Sequence, residues 1–237
     1  MSGRLVGVGV GPGDPDLLTI KGREALRRAD VVFVPVAAGG GPSEEHGLGY
    51  AERVVRTHVP HSTSVRRLAF DLDPSKREAT WNAAAEVVAA VVREGDTAAF
   101  ATIGDPNVYS TFSRIAEAVR ALAPDTKIET VPGITAMQDL AARSGITLVE
   151  GDERLALLPF TAGEDALRQA LDRFETVVCY KGGRRLADVL RVVREADRID
   201  QLVYGAGLGL TGEEIRRAPF LPRGPGPYLS TVIVTAP

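Results

Sequence analysis

The sequence predicts an α/β protein of two domains, a mostly parallel sheet in the N-terminal one and a mixed sheet in the C-terminal one. Three observations predict it. Short β-branched runs alternate with stretches of helical spacing through the first half of the chain. Glycine and proline gather at the ends of these runs, where they act as stops. Near the C-terminus two strand-like runs follow one another with no helix between them. With 237 residues, 44% hydrophobic and 25% charged, there is apolar material for one large or two small domains, and global disorder is excluded.

Residues 5–10 read as a strand that stops at Gly11-Pro12-Gly13-Asp14-Pro15. Residues 19–29 have helical spacing through Leu18, Ala25, Leu26 and Ala29. Residues 31–34 form a second β-branched run, with Pro35 as its expected stop. Residues 39–49 read as a mobile glycine-rich loop with a possible helix after it. Ser75-Lys76-Arg77-Glu78 has the form of a capping box and opens a long helix with Trp81, Ala84, Val88 and Val91 on its apolar face. Gly95 ends that helix. A third strand, 97–102, is stopped by Gly104-Asp105-Pro106, and 110–122 reads as helix. A fourth strand, 127–131, ends at Pro132-Gly133 and leads into a helix over 135–144.

Beyond this point the rhythm loosens. Strands are expected at 154–158, 176–180 and 201–204, with helices at 165–174 and 184–196. Residues 214–218 and 228–235 are the two strands without an intervening helix. The domains are therefore read as 1–133 and 134–237.

The chemistry concentrates in three turns, each at the carboxyl end of an expected parallel strand: Gly9 to Pro15, Thr102 to Pro106, and Val131 to Ala136. Open α/β sheets bind ligands at those ends. Neither frame of the first turn meets the dinucleotide pattern: from Gly7 the sixth position is Pro12, and from Gly9 it is Asp14. The phosphate-loop pattern is absent too, so phosphate is not the evident ligand. Asp105 points the same way, since a carboxylate at a strand end repels phosphate and suits a ribose hydroxyl, an amino group or a cationic cofactor. Each of Asp14 and Asp105 also has a purely structural reading, an Asp-Pro helix start with the aspartate as N-cap.

Composition narrows the rest. A net charge of −3 argues against a basic nucleic-acid face over the whole chain. Cys179 is the single cysteine, which rules out an intrachain disulfide and fits a reducing compartment. It reads as an inert core thiol. His58 and His61 have Pro60 between them, so they do not form a helical metal pair, and with His46 they are the only histidines. No metal is expected. The N-terminus has no secretory signal and no apolar run reaches about 18 residues, so a soluble, cytoplasmic protein without membrane contact is expected.

Taken in order, the motifs resemble a known family. Gly9-x-Gly11-Pro12-Gly13-Asp14-Pro15-x-Leu17-Leu18-Thr19, then Ala29-Asp30-Val31-Val32, Gly104-Asp105-Pro106-x-x-Tyr109 and Val131-Pro132-Gly133-Ile134-Thr135-Ala136, are similar to the S-adenosylmethionine-dependent tetrapyrrole methylases. The tail from Pro227 to Val234 resembles the family's last strand, so the likeness spans essentially the whole chain. Four segments resemble the branch acting on carbon 20 of precorrin-2 in cobalamin biosynthesis: Val32 to Pro35, Gly104 to Phe112, Gly151 to Pro159, and Pro227 to Ser230.

The resemblance implies a tetrapyrrole methylase-like fold, a homodimer, and S-adenosyl-L-methionine folded between two domains and released as S-adenosyl-L-homocysteine. Carried over residue by residue, Pro12 lies in a loop closing the cleft. Gly104 and Asp105 approach the methionine and ribose parts, and Val108 packs nearby. Thr135 and Ala136 contact the cofactor from the third loop. Lys181 and Gly207 border the adenine in the second domain. There the sequence departs from the family pattern: Lys181 stands where an apolar residue, commonly Met, is usual, and Gly205-Ala206-Gly207-Leu208-Gly209 is unusually glycine-rich.

Methyl transfer from a sulfonium is an in-line displacement that needs orientation above all, worth about 7–11 kcal/mol. No catalytic triad or metal is required, and no catalytic residue is assigned. A polycarboxylate tetrapyrrole calls for local cations. Lys21, Lys181, Arg184 and Arg185 are candidates, and Tyr109 is a candidate substrate contact. The structural alternative for Lys181 to Arg185 is a solvated helix start, and for Tyr109 a helix-start core position. Three rival functions remain: methylation at another ring carbon or on a cobalt-loaded ring, methylation of an RNA ribose or a protein histidine, and cofactor or tetrapyrrole binding without turnover.

Overall fold

A computed structural model describes residues 3–37, 48–71 and 73–236. The chain divides into two compact units, Met1–Thr135 and Ala136–Pro237.

The first unit runs β1 (Arg4–Gly9), α1 (Ile20–Arg28), β2 (Val31–Ala37), α2 (Tyr50–His58), β3 (Ser64–Phe70), α3 (Pro74–Arg93), β4 (Thr97–Thr102), α4 (Phe112–Leu122) and β5 (Lys127–Val131). Its sheet has the order β3-β2-β4-β1-β5, and every pairing is parallel. Alternate residues point to opposite faces. Leu5, Phe33 and Phe100 meet α3 and α4 on one face. Val6, Val8, Val32 and Val34 meet Leu26 of α1 and Val54 and Val55 of α2 on the other. Both faces are covered, which is why these strands read as continuous apolar runs. Phe100 is fully buried between the rings of Phe70 and Phe112, at 6.3 and 6.0 Å.

The topology positions the site. β1 leads into α1 on one face and β4 into α4 on the other, and the two strands are neighbours. Their carboxyl ends therefore flank a reversal of strand order, the place where open α/β sheets hold ligands.

Four expectations are corrected in this unit. Pro35 does not stop its strand: β2 continues to Ala37, paired with β3. Its pairing with β4 ends at Phe33, and a missing donor is tolerated where only one neighbour remains. Ser75 does not open a capping box. Asp73 is the N-cap, with Pro74 at the first helical position, and its carboxylate accepts from both the backbone N–H and the hydroxyl of Ser75, at 2.9 and 2.8 Å. Four strands were legible where the sheet has five. The missing one, β3, is an edge strand whose Arg66 and Arg67 are exposed, so its apolar alternation is confined to Leu68 and Phe70. Finally, α4 begins at Phe112 rather than Ser110. The loop expected at 39–49 and His46 lie outside the described residues, apart from Leu48 and Gly49, the N-cap of α2.

The second unit runs α5 (Ala136–Ser144), β6 (Leu155–Pro159), α6 (Glu164–Arg173), β7 (Thr176–Tyr180), α7 (Leu186–Glu195), β8 (Leu202–Ala206), β9 (Glu214–Arg217) and β10 (Ser230–Val234). The sheet order is β6-β7-β10-β8-β9. β6 and β7 are parallel, and the other pairings are antiparallel, so the mixed sheet is present as expected. Helices α6 and α7 cover one face through Leu167, Leu171, Val189 and Val193. α5 covers the other through Leu140 and Ala141, against Val178, Val203 and Ile233. Thr135 stays outside α5, and Arg184 and Arg185 form a short 3-10 turn ahead of α7 instead of its first residues.

Among the described residues, no helix is long and apolar enough to cross a membrane.

Candidate functional site

The three glycine-rich turns end β1, β4 and β5, which lie side by side in the first sheet. Their main chains interlock. The Gly104 N–H donates to the Gly11 carbonyl at 2.7 Å, and these two residues form an isolated antiparallel bridge. The Val10 N–H donates to the Thr102 carbonyl at 2.9 Å. A Cβ on Gly9 would stand 2.5 Å from the Gly104 carbonyl oxygen and 2.6 Å from the Gly133 nitrogen. One on Gly133 would stand 2.2 Å from the same oxygen. The missing side chains of Gly9 and Gly133 thus let the first and third turns close on the Gly104 carbonyl of the second.

Asp105 fastens the second turn to the third. One carboxylate oxygen accepts the Asn107 N–H at 2.8 Å, and the other accepts the Gly133 N–H at 3.0 Å. The side chain is buried, and no helix starts here, so Asp105 is not the helix cap that one reading allowed. It closes a tight turn on itself and holds its neighbour. Asp14 does behave as a cap: it accepts the Asp16 N–H at 3.0 Å ahead of a 3-10 turn over Pro15–Leu17. That turn is tethered from α2, whose His58 ring nitrogen lies 2.9 Å from the Pro15 carbonyl.

Pro12 is buried in the first turn. Gly104 has φ +70°, and a Cβ there would meet nothing within 4 Å, so one side of its backbone is open to an incoming group. Val108 is half-buried in the second turn. Tyr109 follows with φ +49°, an unusual conformation for a residue with a side chain, and the residue is 43% exposed. The core position that one reading gave it is not occupied. Ser110 accepts the Phe112 N–H at 3.1 Å and shares a hydrogen bond with the Thr102 hydroxyl, seating the start of α4 on the end of β4. Thr135 is buried at the end of the third turn. Lys21 is exposed on the first turn of α1, where its charge joins those of Lys127 and Arg4 in lowering the Glu129 carboxyl, with the Lys127 hydrogen bond the largest influence.

In the second unit, Ala136 opens α5. Lys181 ends β7 with φ +60°. Together with Tyr109 and Asp197, it completes the non-glycine residues of positive φ among those described. Gly207 follows β8 and donates its N–H to the Leu229 carbonyl at 3.3 Å. Arg185 is taken up by the fold: it bonds Asp188 at 2.7 Å and Glu164 at 3.2 Å and lies over the Phe160 ring. Arg184 is exposed. Arg185 is thus held in ion pairs just ahead of α7. Burial pushes the Cys179 thiol up to about 12, which makes it a poor nucleophile.

One functional candidate was missed. The Tyr180 hydroxyl accepts the Met137 N–H at 3.1 Å, joining the end of β7 to the start of α5. No local pattern in the sequence announces a contact between residues so far apart.

Interlocked turns on three adjacent parallel strands, followed by a mixed-sheet unit, define an α/β protein whose first-sheet strand ends lie where open α/β sheets hold small ligands. The comparisons with known proteins are more particular. The family model for Tetrapyrrole (Corrin/Porphyrin) Methylases matches residues 4–220, and the chain belongs to that family. Precorrin-2 C(20)-methyltransferase of Sinorhizobium sp is 38% identical over 208 residues, covering 85% of this chain and 82% of that protein. Cobalt-precorrin-2 C(20)-methyltransferase of Salmonella typhimurium is 30% identical over 238 residues, covering 99% and 97%. Among solved structures, uroporphyrin-III C-methyltransferase of Thermus thermophilus, complexed with S-adenosyl homocysteine, shares the fold with a TM-score of 0.68 at 21% identity, covering 98% of this chain and 97% of that one.

Proposed function

We propose that this protein is an S-adenosylmethionine-dependent C-methyltransferase that adds a methyl group to carbon 20 of precorrin-2 in cobalamin biosynthesis. The family match and the two C(20)-methyltransferase relatives support the reaction class and the substrate. The observation that carries the reading is the interlocking of the three strand-end turns around Gly104 and Asp105.

The residues suit the methyl donor. The turns lack a phosphate-binding pattern, Gly104 is open on one side, and a buried carboxylate stands beside it. In the first unit, Pro12, Gly104, Asp105, Val108 and Thr135 are the proposed cofactor contacts. In the second they are Ala136, Lys181 and Gly207. When bound, the sulfonium supplies an activated methyl group. The chain's part is to orient two reactants and keep water from the reacting carbon. Asp105 acts by holding the second and third turns at fixed separation, and Gly104 by presenting bare backbone. Exposed Lys21 and Arg184 meet carboxylates of the tetrapyrrole, and the Tyr109 ring lies against the macrocycle.

A homodimer and a cytoplasmic location belong to the same reading. The family resemblance supports the first and the lone, reduced Cys179 the second. Sedimentation at micromolar concentration tests the dimer.

A cobalt-loaded ring is the second reading, supported by the Salmonella relative that matches nearly end to end. Incubation with S-adenosylmethionine and either metal-free or cobalt-loaded precorrin-2 tests both. The expected result is a product heavier by one methyl, with NMR placing it at carbon 20, on the metal-free substrate. Faster turnover of the cobalt form selects the second reading. Stoichiometric binding without product would make the protein a carrier.

A further inference from the structure

We propose that Tyr180 is a positioning residue of the methyl-donor site, its hydroxyl holding the first turn of α5 in register with the loop that leaves β7. The proposal rests on the methylase reading above and adds to it a residue that touches neither the donor nor the tetrapyrrole.

The first N–H groups of a helix have no partner within it. The usual acceptor is a Ser, Thr, Asp or Asn just ahead of the first turn. In α5, which Thr135 precedes, the Met137 N–H is taken by a phenol from 43 residues further along the chain, at 3.1 Å. Tyr180 is well placed to give a fixed acceptor. Its backbone is paired on both sides, with Pro159 of β6 and Thr231 of β10. Its ring packs in the cluster formed by Leu140, Ala141, Val178 and Ile233, so the side chain has little freedom to swing.

The two ends of this bond are each one residue from a proposed donor contact. Met137 follows Ala136, and Lys181 follows Tyr180. The loop on the Lys181 side is held as firmly as the helix. Gly183 passes the Pro227 carbonyl so closely that a Cβ would stand 1.9 Å from the oxygen, and its own carbonyl accepts the Gly226 N–H at 2.7 Å. Lys181, with its left-handed backbone, thus lies between a strand-paired tyrosine and the close-packed Gly183. With the loop fixed at both ends, the Tyr180–Met137 bond is a polar link between it and the α5 start, added to the packing of Leu140 and Ala141 on the sheet. A site that acts by orientation is sensitive to such a link, since small displacements weaken binding.

Tyr180→Phe removes the hydroxyl and leaves the ring in its cluster. Titration calorimetry with S-adenosylhomocysteine, wild type against Y180F, is the test. The expected result is roughly tenfold weaker binding in Y180F, as for one lost hydrogen bond. The KM for S-adenosylmethionine should rise in parallel while kcat and the tetrapyrrole KM hold. A merely structural role would lower the melting temperature and leave the affinity ratio at one, and that result overturns the proposal. A second measurement uses the wild type alone: hydrogen exchange at the Met137 amide should be slow and should slow further with S-adenosylhomocysteine. Fast exchange in the bound protein also overturns it, however Y180F folds. If the wild type takes up no S-adenosylhomocysteine, the methylase reading fails and this inference falls with it. If the wild type binds and Y180F binds equally, only this inference fails.

Discussion

The two units are fastened by different means. In the first, the turns are fixed by main chain against main chain, with Gly9 and Gly133 packed on the Gly104 carbonyl, and the Asp105 side chain joins the second turn to the third. In the second, side chains from distant elements do the work. Arg198 reaches the carbonyls of Leu171, Phe174, Glu175 and Thr235. Glu164 gathers Arg168, Arg185 and Arg191 on the surface. Tyr180 holds the start of α5. Backbone contact leaves no room for an added atom. A side-chain tether tolerates change that preserves its reach and its hydrogen bond.

Gly133→Ala should have the largest effect. The new Cβ meets the Gly104 carbonyl oxygen at 2.2 Å and the Gly9 carbonyl carbon at 2.7 Å, and neither is the end of a flexible side chain. Destabilisation of about 3 kcal/mol in urea, with at least tenfold weaker S-adenosylhomocysteine binding, is expected. A fully stable, fully binding variant would break the contrast. Arg198→Ala removes a buried donor group from its four carbonyls, and a loss of about 2–4 kcal/mol is expected. Cofactor affinity should change little as long as the protein stays folded. Equal losses of stability and affinity would show that the second unit's arginine staple belongs to the site.

Asp105→Ala sharpens the contrast from the other side. Affinity should fall roughly tenfold, with stability lower by about 1–2 kcal/mol. Asp105→Asn, which keeps an acceptor, should lie between. Unchanged affinity with a lower melting temperature would reduce Asp105 to a turn staple. Arg184→Glu should raise the tetrapyrrole KM several-fold through lost charge pairing and leave both cofactor affinity and melting temperature alone. Unaltered kinetics would return Arg184 to the solvent.

The smallest effect concerns pH. Hydrogen bonds from Arg154, first from its side chain and then from its backbone, lower the Glu175 carboxyl from its ordinary 4.5 to about 2. The folded value lies below the unfolded one, so this pair favours folding above pH 4.5, and its contribution is lost as pH falls towards 2. NMR titration of Glu175 should show this midpoint, and Arg154→Ala should return it towards the ordinary value. An unmoved midpoint would mean that the ion pair does not form in solution.

Much of this was legible before any coordinates. β4, β5 and β7 lie where their short runs put them, with Gly95 and Gly104 near the ends of β4 and Pro132 directly after β5. The three turns could be read because their chemistry is local: glycine, proline and aspartate act on the backbone next to them. β3 was missed because an edge strand needs few apolar residues. The long helix start was misread because Asp73-Pro74 competes with Ser75 for the N-cap, and Pro74, with no N–H to leave unpaired, is suited to the first helical position.

The sequence by itself determined the succession of elements apart from β3, the covered faces of the first sheet, the ordered motifs of the family and the residue types in each turn. All of these follow from periodicity and from backbone preferences that act within a few residues. Only the tertiary structure decided that Asp105 turns its second oxygen to the neighbouring turn at Gly133, that Arg185 belongs to a surface network and that Tyr180 bonds the start of a helix 43 residues away. Those are contacts between positions distant in the chain, and which of the possible partners meet is settled by packing, a property of the whole fold that no local stretch contains.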